Sequence, residues 1–197
     1  IIVSGNIGED IAVGAMKAGA HDYIIKGNLA RLVPAVEREL RDAEGRREGR
    51  RAEEALRENE RLLRTVLETL PVGVWIVDKT GKIIHGNPAT RNIWAGARYV
   101  GIDRYGEYKG WWVSTGKQIE PEEWAAARAI TKGETSIDEE IEIECFDGTH
   151  KIILNSAIPI RNERQEITSA IIVNKDITDR KRADQALREN NELLENM

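Results

Sequence analysis

One stretch of this chain is written twice, and the rest must be fitted around it. Residues 51–63 read RAEEALRENERLL and residues 182–194 read RADQALRENNELL, with Ala52 recurring as Ala183, 131 residues on. A repeat at fixed offset is explained before anything else. Both copies lack Gly, Pro and β-branched residues and are rich in strong helix formers. Apolar positions alternate spacings of four and three: Ala52, Leu56, Asn59, Leu63, Val66, Leu70 in the first, and Ala183, Leu187, Asn190, Leu194, Met197 in the second. That is a heptad seam with an Asn at the same place in each copy, a residue that costs stability but fixes register and strand number. Two readings stay open. The copies are short coiled-coil helices bracketing one globular module, or amphipathic helices packed on their own domain. Each spans about two heptads, whereas three or more mark a coiled coil.

Charge and cysteine usage narrow the function classes. The chain of 197 residues is 32% charged with net charge −5. This balance argues against a nucleic-acid partner and against contact with an anionic membrane. The single cysteine, Cys145, excludes an internal disulfide framework and a Cys-cluster metal site. It fits a reducing compartment, so the expected location is cytoplasmic. No signal peptide and no run of about 18 apolar residues is present. The sequence opens on Ile1 in a strand-like run and stops at Met197 inside a helical pattern, so both ends are expected to be internal to a longer protein.

Residues 1–43 alternate strand and helix. Ile1, Ile2 and Val3 form a β-branched run read as a buried strand. Residues 10–18 follow as a helix with Ile11, Ala15 and Ala18 on one face, closed by Gly19. Residues 23–25 read as a second strand, and residues 29–43 as a helix whose core face is Leu32, Val36 and Leu40. This order predicts a parallel α/β sheet. The run VSG, then AMKAGAHDYIIK, then LxxxVEREL resembles the C-terminal part of a response-regulator receiver domain, a truncated flavodoxin-like piece. The resemblance implies that Ser4 is the switch hydroxyl that meets a phosphoryl group, that Lys26 pairs with the phosphorylated carboxylate, and that Tyr23 lies near the aromatic switch position. A hydroxyl and an ammonium at adjacent strand ends suit a dianion. Gly27 stands where the family usually has Pro, which alters the expected turn. The family's phosphoacceptor Asp lies upstream of the matching residues, so this segment is expected not to accept phosphate itself. Two strands alone bury little, and low stability is predicted for the piece.

Residues 44–70 read as a helical linker, coiled-coil-like, with alternating charges on a solvated face. Gly45 and Gly49 fall on the seam and are expected to interrupt the helix, as a flexible point or a close approach of two helices. Pro71 ends it.

Next comes an α+β layout. A strand at 72–78, a turn at 79–81 and a return strand at 82–86 lead to Asn87-Pro88, an N-cap followed by Pro at the first helical position. Residues 96–116 read as irregular. Pro121-Glu122-Glu123 is expected to open a helix with acids in its first turn, ended by Gly133. Residues 137–146 alternate Ile141, Ile143 and Cys145 with Glu140, Glu142 and Glu144, one buried face and one wet. Asp147-Gly148 is read as a type I′ hairpin turn, followed by strands at 151–160 and 167–177.

The pieces LPVGVWIVDxxGKII, GNPA, FDGT and the closing DITDRK resemble a PAS domain over residues 62–181. The resemblance implies an antiparallel sheet with short helices. It also implies that Asp176 and Thr178 hold the corner between the last strand and a following helix at 182–197. Simple N-capping by Thr178 or Asp179 is the alternative, and both can hold together. The WWVSTGKQIEPEEWAAARAI stretch looks like a subset found in bacterial and archaeal sensor kinases.

No catalytic constellation appears: no phosphate loop with Lys-Ser/Thr and no nucleophile elbow. His21, His85 and His150 are scattered and read as surface or strand-end residues, which argues against haem. The NCRFLQ motif of flavin-binding light sensors is missing, which argues against a flavin adduct; the cofactor stays unknown. Cys145 reads as a small core residue. Five tryptophans against one Phe146 are an unusual set. Trp75, Trp94, Trp111 and Trp124 (with Trp112) either fill a core or line a pocket, for which Asn87 and Asn155 would be the polar groups. The expected function is a sensor or relay module of a two-component system, non-catalytic in itself. Its parent is read as a hybrid sensor histidine kinase, a parallel homodimer through the flanking helices, with other kinase modules as partners. The alternatives are the front end of a nucleotide cyclase or phosphodiesterase, or a stand-alone binding protein. A repeat restarting at Ala183 suggests that another PAS module follows.

Overall fold

A computed structural model describes residues 1–5 and 9–195. Its contacts divide the chain into two compact units, Ile1–Leu62 and Leu63–Met197. Met197 of the second seam, with Asn196 before it, lies outside the described residues.

In the first unit β1 (Ile2–Ser4) pairs in parallel with β2 (Tyr23–Ile25), placing Ser4 opposite Ile25. Helix α1 (Glu9–Lys17) connects them. A short tight-helical segment, Lys26–Arg31, leads into α2 (Leu32–Thr69). Several expectations are corrected here. Ile1, Ile2 and Val3 are exposed rather than buried, because a sheet of two short strands covers little of its own surface, although Ile24 opposite Val3 is buried. On α2 the buried residue is Ala35, while Val36 and Leu40 point to solvent. Gly45 and Gly49 do not interrupt the helix, which runs on for 38 residues, and a Cβ at either would meet nothing within 4 Å. Two glycines cost about 2 kcal/mol of helix relative to Ala. The Arg, Glu, Ala and Leu residues around them are strong enough formers to carry the helix through. The side chain of Tyr23 lies outside the described set.

The second unit is a six-stranded antiparallel sheet in the order β4-β3-β8-β7-β6-β5. Strands β3 (Gly73–Asp78) and β4 (Ile83–Gly86) form the first hairpin. Its turn is held by Asp78, whose Oδ1 accepts from Thr80 N, Thr80 Oγ1 and Lys82 N. Helix α3 (Pro88–Trp94) starts as the sequence predicts, with Asn87 as N-cap and Pro88 in the first turn. The stretch expected to be irregular holds a short helical turn at Ile102–Glu107 and a strand, β5 (Lys109–Trp112), paired with β6. Helix α4 (Ala125–Lys132) begins later than expected. Glu123 folds back to accept from Glu120 N at 3.0 Å and from Lys117 Nζ at 2.9 Å, so residues 120–123 form a turn and Trp124 stays extended.

Strands β6 (Ser136–Glu144), β7 (His150–Arg161) and β8 (Ile167–Asp176) complete the sheet, and α5 (Thr178–Glu195) follows. Alternation on β6 matches its pattern, with Ile141, Ile143 and Cys145 buried. The β6–β7 hairpin is not type I′, which requires positive φ at both central residues. Cys145 N donates to Thr149 O and Gly148 N to Cys145 O, and only Gly148 is left-handed, at φ +82°. The loop is therefore Phe146-Asp147-Gly148, three residues with Gly in the left-handed position. Helices α3 and α4 and the 102–107 turn close over one face of the sheet and form the core with Val77, Ile141, Ile143 and Ile153, all fully buried. Each such side chain contributes about 1.5–3 kcal/mol of burial.

Candidate functional site

Strand alternation aims Trp75 on β3, Asn155 on β7 and Ile172 and Asn174 on β8 at the same face of the sheet. Asn155 and Asn174 stand directly opposite in the β7–β8 ladder, and Trp75 stands opposite Ile172 in the β3–β8 ladder. The elements covering this face bring Trp94 from the end of α3, Tyr105 and Tyr108 from the segment before β5, and Trp124 from the turn before α4. A cavity of about 50 Å³ lies among these side chains, completed by aliphatic residues including Val77 and Ile83.

The polar groups at the cavity form one network. Asn174 Oδ1 accepts from both Trp75 Nε1 at 2.9 Å and Trp94 Nε1 at 3.0 Å, and its Nδ2 donates to Asn155 Oδ1 at 2.9 Å. One amide thus satisfies two indoles and a second amide, all buried. Tyr108 packs edge-on against Trp75 and Trp94. Its hydroxyl accepts from Arg98 N at 2.8 Å and donates to Arg98 O at 2.7 Å. Tyr105 donates to Gly81 O. Burial disfavours both phenolates, raising Tyr105 and pushing Tyr108 up to about 12. Trp124 is 8% exposed, and its Nε1 is buried with no hydrogen-bond partner among the described residues. Gly110 makes room for that ring, since a Cβ there would lie 2.7 Å from Trp124 Cη2. Among the described residues, no charged side chain lines the cavity.

The structure brings together Trp75, Trp94, Trp124 and Asn155 of the residues proposed from sequence, and leaves two elsewhere. Trp111 lies on the other face of β5, stacked on His150 at 5.9 Å, while Glu142 Oε1 bonds His150 Nδ1 at 2.8 Å. Asn87 is a buried structural clamp. Its Oδ1 accepts from Val74 N and Thr90 N, and its Nδ2 donates to Leu67 O and Val72 O. It ties the end of α2 to the starts of β3 and α3. Asn174, Tyr105 and Tyr108 were missed. A lone Asn in step with Ala170 and Ile172 on the inward side of an apolar strand was the available signal for the first.

At the end of β8, Asp176 Oδ1 accepts from Thr178 N at 2.9 Å and from Thr178 Oγ1 at 2.6 Å. Ile152 N donates to Thr178 Oγ1 at 3.0 Å, and Ile177 N donates to Ile152 O at 2.9 Å. These bonds bind the start of α5 to β7. In the first unit Ser4 and Lys26 sit at adjacent strand ends, with the Lys26 chain passing 3.8 Å from where a Cβ of Gly5 would stand. His21, His85 and His150 are exposed, and Cys145 is buried with its thiol donating to Ile93 O. Among the described residues, no group of three or more His, Cys, Asp or Glu gathers as a metal site, and no helix is long and apolar enough to cross a membrane.

Comparison with solved structures finds the PAS domain of an HTR-like protein from Haloarcula marismortui, 19% identical with a TM-score of 0.46, covering 65% of this chain and 99% of that one. The PAS domain of nitrogen regulation protein NR(II) from Vibrio parahaemolyticus is 16% identical at TM-score 0.41, covering 59% and 98%. A sensory box histidine kinase/response regulator from Burkholderia thailandensis is 18% identical at TM-score 0.43, covering 68% and 98%. No curated protein matches the chain. A family model described as the PAS fold matches residues 67–182, more than half of the sequence, and the chain belongs to the PAS-fold family.

Proposed function

We propose that the chain is a sensing and relay segment of a two-component sensor histidine kinase, in which the state of the indole-lined cavity sets the orientation of α5. One observation carries this reading. Asn174, which holds two of the cavity's indoles, and Asp176, which holds the start of α5, are two residues apart on β8. A change in the bonding of Asn174 therefore reaches the exit corner through a single intervening residue. Residues 1–43 are read as the C-terminal part of a receiver domain, supported by the parallel pairing that sets Ser4 beside the strand end carrying Lys26. The flanking helices act as parallel dimer contacts. Leu56, Leu63, Val66, Leu187 and Leu194 of the two seams are all exposed in the single chain, as partners in a coiled coil would be.

Cysteine crosslinking tests both halves. Cys145 is buried, so it serves as a silent background. Leu187→Cys is expected to give an interchain disulfide on mild oxidation, and Arg188→Cys little or none. Adding Asn174→Ala is expected to change the Leu187→Cys crosslinking rate at least about twofold, on the scale of a small bias in a two-state corner. A monomeric chain without crosslinks refutes the dimer, and an unchanged rate refutes the relay.

A further inference from the structure

The buried polar groups around the cavity are not equally satisfied. Trp75 and Trp94 both give their indole N–H to Asn174, while Trp124 gives its N–H to nothing among the described residues, although the residue is more than nine-tenths buried. Asn155 contributes its oxygen to Asn174. A buried donor without an acceptor is costly, and native structures rarely keep one without a reason. Trp124 lines the cavity. The space is therefore bordered by one buried donor to spare, the Trp124 Nε1–H, while the other two indoles, the Asn174 amide and both phenols are committed to protein partners.

Charge and size restrict what can answer that donor. The lining has no cation to neutralise an anion and no carboxylate to neutralise a cation. An unpaired ion would be heavily penalised there. The phenols of Tyr105 and Tyr108 add no charge, since burial keeps them protonated well beyond neutral pH. The volume of about 50 Å³ is a third of the roughly 150 Å³ that holds benzene in an engineered cavity, so it suits about two or three heavy atoms.

We propose that the cavity binds a small uncharged hydrogen-bond acceptor, a carbonyl or amide compound of a few heavy atoms, whose oxygen takes the Trp124 Nε1–H. This ligand class rests on the sensing role proposed above and names what is sensed. Val77, Ile83 and Ile172 supply apolar contact for the rest of the molecule. Gly110 belongs to the same device, because any side chain there would drive the Trp124 ring from its place.

Formamide and formate make the discriminating pair, equal in heavy atoms and opposite in charge. The full chain, labelled with ¹⁵N, displays its tryptophan indole N–H resonances, and Trp124→Phe assigns the one that matters by its loss. Formamide is expected to shift the Trp124 resonance saturably with a dissociation constant of about 1–10 mM, the range open to so small a ligand. Formate at the same concentrations is expected to leave it in place. Xenon, which has no acceptor, reports whether the cavity is open at all. A Trp124 resonance that no formamide concentration saturates, while xenon shifts its neighbours, overturns the proposal; so does formate binding as tightly as formamide. The relay reading fails separately: formamide that saturates Trp124 without altering the Leu187→Cys crosslinking rate sinks the relay and leaves the ligand class standing.

Discussion

Replacing Asn174 by Leu removes the acceptor shared by two indoles while keeping the side chain's approximate volume. Three buried groups lose their partner at once: Trp75 Nε1, Trp94 Nε1 and Asn155 Oδ1. Each unsatisfied buried group costs about 1–3 kcal/mol. The sum is about 3–9 kcal/mol, offset in part by the apolar gain of Leu and by water entering the adjacent cavity of about 50 Å³ to serve one of the three. A net loss of about 3–5 kcal/mol follows, a large share of the 5–15 kcal/mol typical of a domain. All five tryptophans lie in the second unit, so urea unfolding followed by tryptophan fluorescence reports that unit alone. The midpoint is expected to fall with the slope unchanged. Asn155→Leu combined with Asn174→Leu is expected to cost less than the two single losses together, by about 1–2 kcal/mol, because the first change already orphans the second group. A loss below about 1 kcal/mol for Asn174→Leu, or strict additivity in the pair, would refute the idea that this amide network holds the indoles.

Gly110→Ala sets a methyl 2.7 Å from Trp124 Cη2, and overpacking of this kind costs about 1–3 kcal/mol, read as a lower urea midpoint with altered Trp124 fluorescence. Alkaline titration checks the phenols. Tyr108 is held neutral to about 12 when folded and ionises near 10 when unfolded, so its contribution of roughly 2–3 kcal/mol is intact below pH 10 and is lost as pH rises toward 12. Thermal midpoints are expected to be insensitive to these phenols up to pH 10 and to fall above it, with Tyr108→Phe abolishing much of that slope. Thr178→Val removes the hydroxyl that bridges Asp176 and Ile152 and is expected to cost about 1–2 kcal/mol, with faster hydrogen exchange at Ile152 N and Ile177 N.

The features legible in the sequence are those where one residue type has one physical use. Asn87-Pro88 could only begin a helix, and strict Ile/Glu alternation on residues 140–145 could only be a half-buried strand. β5 was hidden because its four residues, Lys-Gly-Trp-Trp, carry no β-branched alternation. That strand is fixed by cross-strand pairing with β6 and by the Trp124 ring seated against Gly110, which are tertiary facts. The tryptophan set left a filled core and a lined pocket both open, and did not say which rings would meet. Trp111 and Trp112 are neighbours on one strand and must face opposite ways, so at most one of them could point inward. Asn87 was misassigned to the pocket because the sequence shows its capping oxygen but not the Nδ2 bonds to Leu67 O and Val72 O that make it a buried clamp. The polar floor was the least visible part, since Asn174 stands out only once β7 and β8 are in register and it faces Asn155.

That register also limits how the cavity can act on α5. β8 lies between β3 and β7 and is bonded to both along its length. A one-residue slip would turn Asn174, Ile172 and Ala170 to the wrong face and break two ladders at once. β8 therefore does not slide as a piston. The freedom left is in the last residues of the strand, beyond Asn174 where the β3 ladder ends; there Asp176 pairs with Ile153 of β7 and is held by Thr178 and, at 3.7 Å, by Lys151. In the relay proposed above, a rearranged Asn174 amide would act on a strand fixed along two ladders, and the corner at 176–178 is the nearest point outside the β3 ladder. Because Thr178 Oγ1 donates to Asp176 Oδ1 and accepts from Ile152 N, a rotation there disturbs both bonds together. Under the relay proposed above, that disturbance would redirect α5, and the exposed heptad seam would pass the change on to a coiled-coil partner.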